Sequence, residues 1–311
     1  MTRHALAALT LAILVGAGCV GKEASPSAHV VNLVARGRMF EAPDSIPSGW
    51  ATFRFTNSSD VVHFAVVEHL PDGVGIAEQQ AQVAPVFQAG MDLLNAGKVD
   101  AALRKFGELP KWFGQVVFSG GPGLTSPGHT AESTVFLTPG TYLLECYVKT
   151  NGIFHSYNPD ATAYGMVHQI TVVADTTPSS PPSATTRITL SSARGIEIDG
   201  DLAAGENTVA VHFENQKAYA NFLGHDVHLV RLTASTDTTL LAAWMDWTQH
   251  DGLQTPAPAE FLGGMNELPA GATGYFTVNL APGRYAWVAE VPDPMANGMF
   301  KSFAVSADQQ S

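Results

Sequence analysis

Two cysteines are all that this sequence holds, and their settings ask for different chemistry. Cys19 follows Gly16-Ala17-Gly18, small residues that close an apolar run over 5–15 broken only by Thr10. Such a run is too short to span a bilayer as a folded helix and reads as the core of a signal peptide over residues 1–18. Small residues just ahead of a cysteine suit a lipoprotein signal peptidase, which would leave Cys19 lipidated at the start of the mature chain. Val20, not an Asp, comes next, which in a Gram-negative cell favours outer-membrane sorting. Beyond Cys19 only Cys146 remains, so no intrachain disulfide can form in the mature fold. A lone thiol in an oxidising compartment is buried, joined to another chain, or bound to metal. His225 and His228 could hold a metal as a pair, although ordinary strand packing accounts for them as well.

Other chemistries lack their residues. There is no Gly-x-Ser-x-Gly nucleophile turn, no Walker loop, no His-Glu-x-x-His and no Cys-x-x-Cys. With no catalytic constellation found, the chain is expected not to be an enzyme. A formal net charge of -12 excludes nucleic acid as a partner, because nothing would neutralise its phosphates. Charged residues make up 14% and hydrophobic ones 45%, with 29 Gly and 19 Pro. That balance suits turn-rich β structure around a large core, and 311 residues suit two domains.

The chain divides at a Pro/Ser/Thr linker over 175–185, too poor in apolar residues to pack a core. Residues 19–28 read as a tether and 307–311 as a polar tail, leaving a first domain at 29–174 and a second at 186–306. These two blocks repeat each other. Gly128 to Gly140, leading into Thr141-Tyr142, matches Gly271 to Gly283, leading into Arg284-Tyr285, without a gap. Asn57 corresponds to Asn215, His63 to His225, and Gly165-Met166 to Gly298-Met299.

Alternation, β-branched residues and flanking turn residues predict six strands in each block. The first set covers 30–35, 51–55, 64–68, 133–137, 142–148 and 167–173. The second covers 187–190, 208–213, 227–232, 275–280, 285–290 and 301–305. Ile76, Val83, Phe87, Met91 and Leu94 fall near helical spacing, and Val99, Leu103 and Phe106 continue it, so a helical insertion of about 74–113 interrupts the first block. A shorter counterpart surrounds Leu240, Leu241, Trp244 and Trp247, aromatics expected in the core. The fold class is all-β, with two tandem Greek-key sandwiches.

Gly140-Thr-Tyr-Leu-Leu-Glu-Cys146, then a His, then Gly165-Met166, resembles the Gly-x-Tyr-x-x-x-Cys…His…Gly-Met finish of the plastocyanin-like cupredoxins. Asn57 followed by His63 resembles the upstream Asn…His of that family. The resemblance covers both blocks in outline but implies metal ligands only in the first: His63, Cys146, His155 and Met166, with copper as the cofactor. Two imidazoles, a thiolate and a weak thioether suit both oxidation states of copper. In the second block Ala289 stands where Cys146 stands, so no such site is expected there. Multicopper oxidases and copper nitrite reductases also pair such domains, but the His-x-His or His-Cys-His runs of their second copper centres are missing.

Cys146 and His155 lie nine positions apart, farther than on the tight loop of copper cupredoxins. Local geometry still brings them together. Asn151-Gly152 is a strong hairpin signal. A two-residue turn there sets Val148 opposite His155 and puts Cys146 on the same face, about 7 Å away diagonally. Three readings follow: a lipid-anchored envelope binding module of unknown ligand, a copper protein that transfers electrons or carries metal, and a non-catalytic structural or interaction protein. The expected setting is the outer membrane, facing periplasm or surface through lipidated Cys19, or the periplasm or exterior without the lipid. A redox or other envelope protein is the expected partner.

Overall fold

The computed structural model describes residues 27–160 and 162–307, so Cys19 and the expected signal peptide lie outside the described residues. Eleven strands come from the first block: β1 (His29–Arg36), β2 (Met39–Glu41), β3 (Ser45–Pro47), β4 (Gly49–Asn57), β5 (Val66–His69), β6 (Val117–Phe118), β7 (Thr130–Leu137), β8 (Gly140–Glu145), β9 (Lys149–Thr150), β10 (Ile153–Phe154) and β11 (Val167–Val173). Eight come from the second: β12 (Thr186–Ser191), β13 (Gly195–Asp199), β14 (Gly205–Phe213), β15 (Val227–Leu232), β16 (Glu260–Met265), β17 (Thr273–Leu280), β18 (Gly283–Val288) and β19 (Phe300–Val305).

Each block is a two-layer sandwich, as its alternation demands. Along β1 every second residue (Val31, Leu33, Ala35) is buried, and along its parallel neighbour β4 so are Ala51, Phe53 and Phe55. Opposite them runs the sheet β3-β11-β8-β5-β6, which contributes Tyr142, Leu144, Ile170 and Val172 to the same core. The second block repeats the plan, with the parallel pair β12 and β14 facing the sheet β16-β15-β18-β19. The repeat extends to single hydrogen bonds. Tyr142 donates its hydroxyl proton to the Thr138 carbonyl at 3.0 Å, and Tyr285 donates to the Ala281 carbonyl at 2.7 Å.

The two sandwiches share a sheet. β7 pairs with β17 (Thr134 opposite Tyr275, Ser133 opposite Phe276), making a continuous eight-stranded sheet, β13-β12-β14-β17-β7-β4-β1-β2. Ser133 also donates its hydroxyl proton to the Gly264 carbonyl at 2.8 Å. Lys149 ties the blocks together more deeply. Fully buried, its ammonium donates to the carbonyls of Trp247 and Gln249, both at 2.9 Å, and of His250 at 3.4 Å. The linker lies against the sandwich, where Ser179 accepts the Trp50 amide at 2.8 Å.

The insertion forms α1 (Ile76–Gln82), α2 (Ala84–Asn95) and α3 (Val99–Phe106), followed by a 3₁₀ turn over Lys111–Gln115. Pro85 sits in the first turn of α2, where a missing N–H costs no helical bond. Gly90 lies against the Phe106 ring so closely that any Cβ would overlap it. In the second block α4 (Thr238–Trp244) is capped by Asp237, whose carboxylate accepts the amides of Thr239 and Leu240. Trp244 and Trp247 are buried, as expected of core aromatics. No helix among the described residues is long and apolar enough to cross a membrane.

Candidate metal centre

His63 is placed by the loop that follows β4, and Asn57 organises that loop. Its side-chain amide donates to the carbonyls of Val61 and Thr125, both at 2.8 Å, while its oxygen accepts the Ser59 amide at 3.0 Å. His63 and Thr125 then exchange backbone hydrogen bonds in both directions, at 3.2 and 2.7 Å.

Cys146 follows the last residue of β8. The strand expected over 142–148 stops at Glu145, and at Cys146 the chain pairs with Met166 instead, the cysteine amide donating to the Met166 carbonyl at 3.1 Å. Asn151 and Gly152, with φ of 52° and 75°, turn the chain between β9 and β10, a left-handed pair that the Asn-Gly sequence favours. The register follows: His155 donates its amide to the Val148 carbonyl at 2.8 Å. Met166 completes the frame by donating its own amide to the His155 carbonyl at 2.6 Å.

Three donor atoms converge within this frame. His63 Nδ1 lies 3.4 Å from Cys146 Sγ, Cys146 Sγ lies 3.8 Å from His155 Nδ1, and the two Nδ1 atoms are 3.1 Å apart. His155 points this nitrogen inward because its Nε2 is bonded to Thr150 Oγ1 at 2.8 Å, which is bonded in turn to Thr255 Oγ1 of the second block at 2.8 Å. His63, Cys146, His155 and Met166 are all fully or almost fully buried. Met166 is joined to both His155 and Cys146 through its backbone.

The donor set fits a first-row metal ion. Metal–nitrogen bonds of about 2.0 Å and a metal–sulfur bond of about 2.3 Å in a trigonal array put N and S roughly 3.7 Å apart. The observed 3.4 and 3.8 Å bracket that spacing. With no metal bound, burial pushes the Cys146 thiol up to about 12. Burial also pulls His63 down to about 4, and burial followed by the neighbouring His63 pulls His155 down to about 2. Burial thus favours the uncharged forms of all three groups, and a bound cation would take the place of the protons they share. Two imidazoles with one thiolate are donor chemistry suited to copper.

The second block holds a cluster that the sequence pattern did not single out. Asp226, His228 and Glu290 are buried together, with ligating atoms within 4.8 Å of one another. His228 does not offer a free nitrogen. Its Nδ1 accepts the Leu124 amide at 3.0 Å, so Nε2 carries the proton and donates to Asp226 at 2.9 Å. His225 lies apart from His228, held by the Asn215 carbonyl at 3.0 Å and by Tyr219. The repeat did contain a signal for this cluster, since Asp226 and Glu290 occupy the positions of Phe64 and Tyr147.

Two sandwiches in this strand order give the chain a cupredoxin-like fold, with the His/Cys/His trio buried in the first block. No family model and no curated protein matches the sequence. Among solved structures, the chain is similar to auracyanin A, a blue copper protein of Chloroflexus aurantiacus. The two are 22% identical over 47% of this chain and all of that one, with a TM-score of 0.28. It is also similar to a multicopper oxidase, at 13% identity over 89% of this chain and 88% of that one, TM-score 0.20. A copper nitrite reductase of Thermus scotoductus is 11% identical over 91% of this chain and 63% of that one, TM-score 0.22.

The expectation that the chain is not an enzyme is corrected. The buried His63–Cys146–His155 trio is a donor set capable of redox chemistry, so the absence of the usual catalytic motifs does not exclude an enzyme. The catalytic motifs sought in the sequence are runs of adjacent residues, whereas this trio, already named there as metal ligands, is assembled from two separate segments by the fold.

Proposed function

We propose that this is an exported copper redox protein, with its metal held in the first sandwich by His63, Cys146 and His155 and with Met166 as a weak fourth ligand. The observation that carries this reading is the convergence of three buried donor atoms within 4.8 Å. Copper bound there supplies one-electron chemistry. The protein's part is to hold the ligands still: Asn57 fixes the His63 loop, Thr150 fixes the His155 ring, and burial keeps bulk water from the thiolate. A specific donor set of this kind favours electron transfer over a binding module of unknown ligand.

The same proposal includes residues 1–18 as a signal peptide and Cys19 as a lipid anchor to the outer membrane. The redox partner is then another envelope protein, and the net charge of -12 speaks against nucleic acid. The domains are taken as 29–174 and 186–306, joined by the linker at 175–185. Metal analysis after Cu(II) loading tests the reading: one copper per chain is expected, and none retained after dialysis would reject it.

A further inference from the structure

Glu68 and Glu145 occupy one face of the pair β5 and β8. Val66 is opposite Glu145 and Glu68 opposite Leu143, so the two carboxylates are diagonal neighbours. Both are buried. Glu145 accepts a hydrogen bond from the Gln79 side chain. Glu68, 6% exposed, is met by no hydrogen bond or ion pair among the described residues. Burial, then the neighbouring Glu145 carboxylate, pushes the Glu68 carboxyl well above its ordinary value, so a cation between the two is what would let both ionise.

Both carboxylates line a cavity of about 60 Å³ where the helical insertion meets the two sandwiches. Its walls are aromatic: Phe87 and Phe113 from the insertion, Phe222 and Trp247 from the second block. Phe87 packs at 5.7 Å from Phe113 and 5.8 Å from Trp247 between ring centroids, and Phe222 at 6.4 Å from Trp247. Phe222 is 43% exposed and Phe113 half-buried, so the aromatic end reaches solvent.

We propose that this cavity binds a short primary alkylammonium ion, its nitrogen on Glu68 and Glu145 and its carbon chain among the rings. Charge and shape select this class. Aromatic faces attract a cation as well as its alkyl body. A bare divalent metal would need six or so oxygen ligands, which two carboxylates in an apolar wall do not provide. A neutral apolar molecule would leave Glu68 unmet. A cavity measured this way needs about 10–15 Å³ to hold one water and roughly 150 Å³ to take benzene, so this one suits a chain of roughly two or three carbons. The site uses none of the proposed copper ligands and does not depend on copper being bound.

Calorimetric titration of the metal-free full chain with ethylammonium chloride, against ethanol as the neutral isostere, tests the proposal. Saturable one-site binding of ethylammonium and none of ethanol are expected. Glu68→Gln should bind ~10-fold or more weakly, the loss expected when one charge of a buried pair is removed. Ala84→Leu, which fills the cavity from α2, should also abolish binding and decides the matter if Glu68→Gln does not fold. Absence of saturable binding, equal binding of ethanol, or wild-type affinity in a folded Glu68→Gln or Ala84→Leu protein would overturn it.

Discussion

Cys146 and Ala289 hold the same backbone position in the two repeats. Cys146 donates its amide to the Met166 carbonyl at 3.1 Å, and Ala289 donates its amide to the Met299 carbonyl at 3.0 Å. The fold has kept its frame in both blocks, while the thiol is present in only one. Restoring the thiol should not restore the site, because His225 is already held by Asn215 and Tyr219 and no histidine corresponds to His155 beside it. Ala289→Cys is therefore expected to bind no additional copper, measured as metal per chain. A second equivalent with its own visible band would show that the cysteine alone limits the second block.

Much of this architecture was legible because it is local. The Asn151-Gly152 turn, the strand pattern of β1 and β4, and the matched Gly128–Gly140 and Gly271–Gly283 segments each carry their signal in adjacent residues. Other features depend on contacts between distant segments and leave no such signal. The β7–β17 pairing is made between strand edges, whose backbone groups look alike in any sequence. The end of β8 at Glu145 is set by the bond of the next residue, Cys146, to Met166 in a distant segment. Lys149 reads as an ordinary surface lysine until the second block supplies three carbonyls around it.

That lysine gives a stability prediction. Lys149→Met keeps the stem but removes the donor from the buried carbonyls. The expected loss is about 1–3 kcal/mol, the cost of leaving buried acceptors unmet. Denaturant unfolding measures it, and an unchanged midpoint would mean that the clasp contributes nothing net.

Glu267 gives a pH prediction. Burial first, then the neighbouring Asp226 charge, raises its carboxyl to about 7, against an opposing hydrogen bond from the Gly224 amide. Between about pH 4.5 and 7 the folded chain holds this proton more tightly than the unfolded chain does. The group's contribution to stability therefore falls as pH rises through that window, and the full cost persists above it. Glu267→Gln can still accept the Gly224 amide. It should gain stability over wild type at about pH 8 and much less at about pH 5. Denaturation midpoints at the two pH values check this, and an equal effect at both would contradict it.

The proposed anchor makes a separate prediction. Cys19→Ser should release the protein from the membrane fraction while leaving copper binding intact. Fractionation of expressing cells reads the first, and metal analysis the second. Wild-type protein found free of lipid would reject the anchor without touching the metal centre.

The account's central claim is that Cys146 is a thiolate ligand to copper between His63 and His155. Visible absorption during Cu(II) titration of the full chain tests it most directly. An intense sulfur-to-copper band should grow to one equivalent. It should be absent in Cys146→Ala and largely retained in Met166→Leu, because the axial contact is long and weak. A chain that stays colourless with Cu(II), and whose Cys146 reacts with thiol reagents only after unfolding, would contradict the claim and make Cys146 a buried core residue.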